Sequence, residues 1–204
     1  MTGWLPLYLR SRRSPLALAV SIGAVAAVWS MWSAFTDRRD VTETLTVLTV
    51  ALALAPMIPT LAGDDDALES TAALPWPRRR ALHLIACFAI LAVALASTRA
   101  TGAWFGPTCH VVREAAGLTG LAGLAAALLG TRLAWQLPIS WTAVQAIFGG
   151  TDESAWHQVL FWLVQPADSR PAAITAGLLF VSGVIAYALR AGPMTPAVEV
   201  TMDQ

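Results

Sequence analysis

Apolar stretches close to membrane-spanning length alternate with short polar stretches along most of the chain. A helix needs roughly 20 mostly apolar residues to cross a bilayer. Six stretches approach this length, and they cover residues 15–35, 41–61, 81–96, 111–130, 133–149 and 172–189. The pattern predicts an all-α integral membrane protein, with one transmembrane domain over residues 1–204 and six transmembrane helices.

The boundary between the fourth and fifth predicted spans is the weakest of the five. Only Thr131 and Arg132 separate the two apolar runs. One long, bent helix is therefore an alternative to two spans. Pro138 lies inside the fifth run and is expected to bend it, because proline interrupts the hydrogen bonds of a helix.

Two further segments are too short to cross a membrane. Residues 4–9 carry large apolar side chains before three arginines, which predicts a short amphipathic helix at the inner interface. The alternative is a frayed tail with ordinary flanking charges. Residues 153–164 have an apolar centre that is also too short to span, and Pro166 follows it. We expect a re-entrant or surface helix there, on the outer side.

The polar stretch between the second and third predicted spans has the pattern of a short helix over residues 66–74. Acidic residues cluster at its start, where the helix dipole favours negative charge. Asp66 followed by Glu69 approximates a capping box. Pro75 ends the run, and Arg78, Arg79 and Arg80 follow. Membrane topology explains the arginines but leaves the capped acidic half unexplained, and a projecting helix suits a soluble partner.

The composition agrees with a membrane location. Hydrophobic residues make up 56% of the 204 residues, the mean hydropathy is +0.60, and only 13% of residues are charged, against about 25% in typical soluble domains. The formal net charge is zero, so no general basic field is present for nucleic acid. Cytoplasmic flanks of spans carry an excess of arginine and lysine. The arginine distribution therefore predicts that both termini lie in the cytoplasm, and we expect a multi-pass protein of the plasma membrane.

No motif in the sequence indicates an enzyme. The chain has no GxSxG, no HExxH and no phosphate-binding GxxxxGK[ST] loop. His83, His110 and His157 are scattered over three segments, so we predict neither a catalytic nor a metal site. Any ATP hydrolysis would have to be performed by another subunit.

Ionisable residues inside the predicted spans are scarce, which argues against a proton pump. Arg113 and Glu114 are adjacent at the outer end of the fourth span. They could face a cavity or anchor the helix at the interface. The fifth span is the most polar, and its Gln136, Ser140 and Gln145 could line a translocation path or hold helices together.

The fourth span contains closely spaced glycines. Small residues three or four positions apart let helix backbones approach closely in lipid. We therefore expect helix packing to involve Gly117, Gly120 and Gly123.

The layout as a whole, together with "DDDALESTAALPWPRRRALHL" and "REAAGLTGLAGLAAALLGTRLAWQLPISW", resembles the membrane subunit of type-2 ABC exporters of actinobacterial type. The resemblance implies a permease subunit that couples ATP hydrolysis by a separate ATPase subunit to export of a hydrophobic, lipid-like or peptide cargo. ATP and Mg²⁺ would be bound by that partner, and no cofactor by this chain. A second permease subunit, identical or different, would complete the path.

The resemblance also implies roles for two sets of residues. The short cytoplasmic helix would be the coupling helix that contacts the ATPase, through Asp66, Ala67, Leu68, Glu69, Ser70, Thr71 and Ala73. The interface helix would contain Trp4, Leu5, Leu7 and Tyr8. The alternatives are a non-transporting scaffold or accessory subunit of a membrane complex, and a membrane enzyme without a recognisable motif.

Overall fold

The computed structural model describes residues 14–62, 76–150 and 154–189. In these ranges the chain forms seven α-helices and no strand. The helices are α1 (Ser14–Phe35), α2 (Glu43–Leu54), α3 (Trp76–Ser97), α4 (Thr108–Leu128), α5 (Gln136–Phe148), α6 (Ala155–Leu160) and α7 (Arg170–Leu189). A 3-10 segment, Ala55–Leu61, continues α2, and a 3-10 turn, Thr98–Ala100, follows α3.

Prolines define where most of these helices start. Pro15, Pro77 and Pro171 occupy the second position of α1, α3 and α7, and Pro138 occupies the third position of α5. The first turn of a helix tolerates proline, because its backbone N–H groups have no partner within the helix. Pro107 immediately precedes α4 in an extended conformation.

Five of the helical segments are long and apolar enough to cross a membrane: Ser14–Phe35, Glu43–Leu61, Trp76–Ala100, Thr108–Leu128 and Arg170–Leu189. They correspond to the first four and the last of the six predicted spans. The third is longer than the predicted 81–96, because the helix already begins at Trp76.

The fifth predicted span, residues 133–149, is not a helix of spanning length. Leu128 ends α4, Gly130 adopts a positive φ of 84°, and turns follow up to Trp135. The helix α5 has only 13 residues, or about 20 Å at 1.5 Å per residue, against about 30 Å of hydrocarbon. The alternative of one long, bent helix is also wrong, since the turns separate α4 from α5. Pro138 lies in the first turn of α5 and does not bend a continuous span.

The outer segment is also shorter than the predicted helix over 153–164. Helix α6 has six residues and ends at Leu160, and turns occupy most of the chain between it and α7. We call residues 154–169 the α6 segment.

Helix α4 is the centre of the bundle. In its most apolar stretch 67% of residues are buried, against 17% for α1 and 22% for α7. Helices α3 and α7 pack against α4, and α1 packs mainly on α2 and its 3-10 segment. The outer faces of α1, α3 and α7 expose large apolar side chains, including Leu16, Met31, Val93 and Leu178. Such extensive apolar surface suits contact with lipid or with other membrane subunits.

Two loops meet at one end of the bundle, where α1 ends and α4 begins. Trp104 N donates a hydrogen bond to Arg39 O at 3.0 Å, and Val41 N donates one to Trp104 O at 3.1 Å. The Trp29 indole nitrogen donates to Thr101 Oγ1 at 2.9 Å. These bonds join the α1–α2 loop to the α3–α4 loop and fix the relative positions of four helix ends.

Candidate functional site

The opposite end of the bundle brings together the start of α1, the end of the 3-10 segment and the start of α3. Ser14, Thr60 and His83 line one cavity there. The C-terminal part of α7 reaches the same end, where Tyr187 Oη donates a hydrogen bond to Leu61 O at 2.7 Å. Arg132 and Trp135 reach it too, because they line a cavity with Ala55, Ile58, Pro59 and Ala62.

We call this end the basic end. Among the described residues, all of its charged side chains are positive. Its arginines are Arg78, Arg79, Arg80 and Arg132. The described acidic residues all lie towards the other end of the bundle, where five arginines accompany them; these acids are Asp37, Asp40, Glu43, Glu114 and Asp168. Asp64, Asp65, Asp66 and Glu69 belong to residues 63–75, outside the described residues, so this count does not include them.

The residues predicted to contact an ATPase, Asp66 to Ala73, lie outside the described residues, as do Trp4, Leu5, Leu7 and Tyr8 of the predicted interface helix. Their points of attachment are described. Residues 1–13 join α1 at Ser14, and residues 63–75 run between Ala62 and Trp76. Both segments are therefore attached to the basic end.

The three predicted path-lining residues do not share one surface. Gln136 and Ser140 are exposed on α5, one turn apart, and the Ser140 hydroxyl donates to the Gln136 carbonyl. Gln145 is buried, its Nε2 donates to Leu160 O at 2.6 Å, and its Oε1 accepts a hydrogen bond from Leu163 N at 3.3 Å. Gln145 therefore fastens the α6 segment to α5, whereas only Gln136 and Ser140 face outward.

Arg113 is the principal tie between α4 and the α6 segment. Its Nη1 donates a hydrogen bond to Pro166 O at 2.7 Å, and its Nη2 donates to Gln165 O. Only 5% of the Arg113 surface is exposed. The side chain thus points into the bundle and holds backbone carbonyls, so it does not anchor α4 at a membrane surface.

Glu114 is completely buried beside this tie. The His110 Nε2 lies 3.3 Å from its Oε1, although neither carboxyl oxygen has a hydrogen-bond partner among the described residues. Glu43 is near enough to act electrostatically on both Arg113 and Glu114. Burying such groups is costly unless they compensate one another. Arg113, Glu114 and His110 form one buried polar cluster in the bundle.

Trp162 packs the α6 segment against α4. A Cβ atom on Gly117 would lie 2.1 Å from the Trp162 ring, so the ring rests directly on the glycine. Gln165 adds a hydrogen bond from its Nε2 to Gly150 O at 2.9 Å. The segment is therefore a packed cover for the polar cluster rather than a loop lying free on the surface.

The other two glycines of the predicted packing set face α7 and α3. A Cβ atom on Gly120 would lie 2.3 Å from Leu179 O, and one on Gly123 would lie 2.7 Å from Leu84 Cδ2 and 2.8 Å from Gly183 O. Gly183 is the counterpart on α7, where a Cβ atom would lie 2.1 Å from Gly120 O. These four glycines let the backbones of α4 and α7, and the ring of Trp162, approach more closely than any side chain would allow.

The described residues do not form a metal site. No three His, Cys, Asp or Glu side chains among them converge as metal ligands do. His83 lies at the basic end and His110 near the other end, so the histidines do not form one site.

Comparison of the chain with known protein families, curated proteins and solved structures finds no match.

Proposed function

We propose that this chain is the membrane-spanning permease subunit of an ATP-driven exporter of the type-2 ABC class. A separate ATPase subunit would bind ATP and Mg²⁺, and a second permease subunit would complete the path. The cargo class that suits the apolar spans best is a hydrophobic, lipid-like or peptide molecule.

The observation that carries the proposal is that residues 63–75 are attached to the basic end at both of their ends. Residues 63–75, which contain the predicted coupling helix, leave and re-enter the bundle there, next to Arg78, Arg79 and Arg80. Counted over the whole sequence, eight arginines flank the spans at this end and five at the other, and this excess supports a cytoplasmic location for this end under the positive-inside rule. A coupling helix at residues 66–74 would then be attached to two spans, α2 and α3, on the side where ATP is available.

The outward direction of Gln136 and Ser140 supports a path between two subunits. The adjoining exposed surface of α5 is apolar, with Val144, Ile147 and Phe148. Polar groups on the outside of a short helix are costly against lipid. A second permease subunit packed against α5 would surround these groups with protein or water.

One observation favours the alternative, a scaffold or accessory subunit. Gln145, predicted with Gln136 and Ser140 to line a path, is instead used to hold the α6 segment. A scaffold would keep its partner contacts at the basic end but would need no polar path. Association with an ATPase without ATP-dependent transport would therefore identify it.

The test is co-expression with an ATPase encoded beside this chain, followed by purification of the complex and measurement of ATP hydrolysis and export in proteoliposomes. Leu68→Asp and Glu69→Arg are expected to abolish association while membrane insertion is kept. Asp37→Arg is the matched control, since it introduces a charge change at the other end of the bundle, where Asp37 is exposed. Full association and activity after deletion of residues 66–73 would refute the proposal.

A further inference from the structure

A polar cavity lies at the end of the bundle opposite the basic end, between the α1–α2 loop and the α3–α4 loop. Its lining residues are Arg39, Asp40, Arg99 and Trp104, and its volume is about 280 Å³. This volume is slightly below the range of about 300–1,000 Å³ for sites that enclose a drug-sized ligand. The cavity, which we call the loop cavity, therefore has room for a small polar group between two guanidinium groups, one carboxylate and one indole.

The contacts of the two arginines fix their positions without neutralising their charge. Arg39 Nη2 donates to Arg99 O at 3.3 Å and to Thr101 O at 3.5 Å. Arg99 Nη1 donates to Thr108 Oγ1 at 2.7 Å, and its guanidinium lies 5.5 Å from the centre of the Trp104 ring. None of these partners is charged, and neither arginine forms an ion pair among the described residues. Because a guanidinium has five N–H donors, each arginine keeps donors for an anion.

Asp40 supplies the opposite charge in the same cavity. Its Oδ1 accepts a hydrogen bond from Trp104 Nε1. An ionised carboxylate can accept about four hydrogen bonds, so this bond leaves most of its capacity unused. The described residues show no ion pair between Asp40 and Arg39 or Arg99. A ligand that carries both an anion and an ammonium group would therefore complement all three charges.

The loop cavity lies beside indole groups that are typical of a membrane–water interface. Trp29 Nε1, near the end of α1, donates to Ala103 O at 3.1 Å as well as to Thr101 Oγ1. Trp32 Nε1 donates to Arg38 O at 2.8 Å. Tryptophan concentrates at the level of the lipid headgroups, where one part of the ring is apolar and the other is wet. A ligand in the loop cavity would therefore be close to lipid headgroups.

We propose that the loop cavity binds the headgroup of a zwitterionic phospholipid, a phosphate diester that carries a primary ammonium, as in phosphatidylethanolamine. The phosphate would lie at Arg39 and Arg99, because guanidinium groups match phosphate oxygens in charge and geometry. The ammonium would donate hydrogen bonds to the Asp40 carboxylate. The acyl chains would stay in the hydrocarbon beside α1 and α3, which expose Phe35 and Val93. The proposal does not depend on whether the chain transports a cargo.

Asp40 determines which headgroup is preferred. Phosphatidylcholine has the same phosphate, but its trimethylated ammonium has no N–H to donate, and phosphatidylglycerol has no cation. The two arginines should therefore increase binding of all three lipids, whereas Asp40 should favour phosphatidylethanolamine. The side chains of Arg39, Asp40 and Arg99 are exposed, and exposed charge pairs are weak. We therefore expect each contact to change binding about threefold.

The test measures lipid contact with the full chain in phosphatidylcholine vesicles. Trace phosphatidylethanolamine or phosphatidylcholine is added, each with the same photoactivatable acyl chain, and crosslinks are mapped by mass spectrometry of peptides. The exposed face of α7, which includes Leu178, is the reference for ordinary lipid contact. Relative to α7, the ends of α1 and α3 should favour phosphatidylethanolamine over phosphatidylcholine about threefold. The same lipid ratio at both places would overturn the proposal.

Variants of the lining residues separate the two halves of the headgroup. Asp40→Asn should remove the preference for phosphatidylethanolamine and raise the yield with photoactivatable phosphatidylglycerol, because a negative charge is lost. Arg39→Gln and Arg99→Gln should each lower the yields of all three lipids about threefold. Loss of all three lipids in Asp40→Asn would contradict the assignment, since it would indicate damage to the loops rather than loss of one contact.

The matched controls are Asp37→Asn and Arg38→Gln. Both residues are exposed on the same loop and do not line the cavity, so neither variant should change the lipid ratio. Equal effects of the control and the lining variants would mean that the charge of the loop acts in general and would overturn the proposal.

Free phosphoethanolamine distinguishes a lipid from a soluble ligand with the same chemistry. A lipid is held in the bilayer next to the cavity, so its crosslinks should persist when micromolar phosphoethanolamine is added. Displacement of the lipid at that concentration would overturn the lipid as the ligand and identify a soluble phosphate–ammonium compound instead.

Discussion

Replacing Gly120 with alanine tests the glycine contact between α4 and α7. The added Cβ atom would lie 2.3 Å from Leu179 O and 2.6 Å from the Phe180 Cα atom, whereas ordinary contacts begin at 3.4 Å. Both neighbours are backbone atoms, so no side chain can rotate away. The two helices would have to separate by about 1 Å along their closest contact.

Overpacking of this kind typically costs about 1–3 kcal/mol. Alanine also favours a helix over glycine by about 1 kcal/mol, so the contact must lose more than that before the protein is destabilised. After this offset the net loss is about 0–2 kcal/mol, which corresponds to a fall in melting temperature of up to roughly 8 °C for a domain of this size. The fall in melting temperature is measured by monitoring circular dichroism while the purified protein is heated in detergent.

Gly177→Ala is the matched control on α7. A Cβ atom at Gly177 meets nothing within 4 Å, so this variant gains helix propensity without a clash and should melt at or above the wild-type temperature. If Gly120→Ala and Gly177→Ala melt at the same temperature, the close approach of α4 and α7 is not what stabilises the bundle.

Three further predictions concern single residues. Arg113→Gln removes two charge-assisted hydrogen bonds to the α6 segment, each worth about 1.5–3 kcal/mol, so hydrogen exchange of the backbone amides there should become at least tenfold faster; the exposed Arg170→Gln should leave it unchanged. Tyr187→Phe removes the 2.7 Å bond to Leu61 O and should lower stability by about 1 kcal/mol, seen as a lower melting temperature, and an unchanged one would refute this. In intact cells a membrane-impermeant maleimide should label the exposed Cys109 and not Cys87, and no labelling would contradict a cytoplasmic basic end.

The five long spans could be predicted from the sequence, because their apolar length is itself the physical requirement for crossing a bilayer. The fifth run is the most polar of the six but still long and mainly apolar, and hydropathy does not register the turns from Gly130 to Trp135. Pro138 could in principle have indicated the result, since proline in a first turn is a common helix start.

The environment of Arg113 and Glu114 could not be predicted. Arg113 is held by the backbone carbonyls of Gln165 and Pro166, and a carbonyl group leaves no mark in a sequence. The same reason explains why Gln145 was interpreted as a possible path residue. Its partners are the backbone of Leu160 and Leu163, and they become neighbours only when the α6 segment folds back on α5.

Sequence spacing revealed the packing glycines that lie on one helix. The three glycines of α4 were predicted from their three-residue interval. Gly183 on α7 has no glycine three or four residues away and was missed.

The most direct test of the proposed coupling to an ATPase is site-specific photo-crosslinking in membranes that contain both subunits. A photoreactive amino acid at position 68 is expected to form a crosslink to the ATPase, and the crosslink should change in yield when a non-hydrolysable ATP analogue is added. The same amino acid at position 37, at the other end of the bundle, should form none. A crosslink from position 37 but not from position 68 would contradict the account.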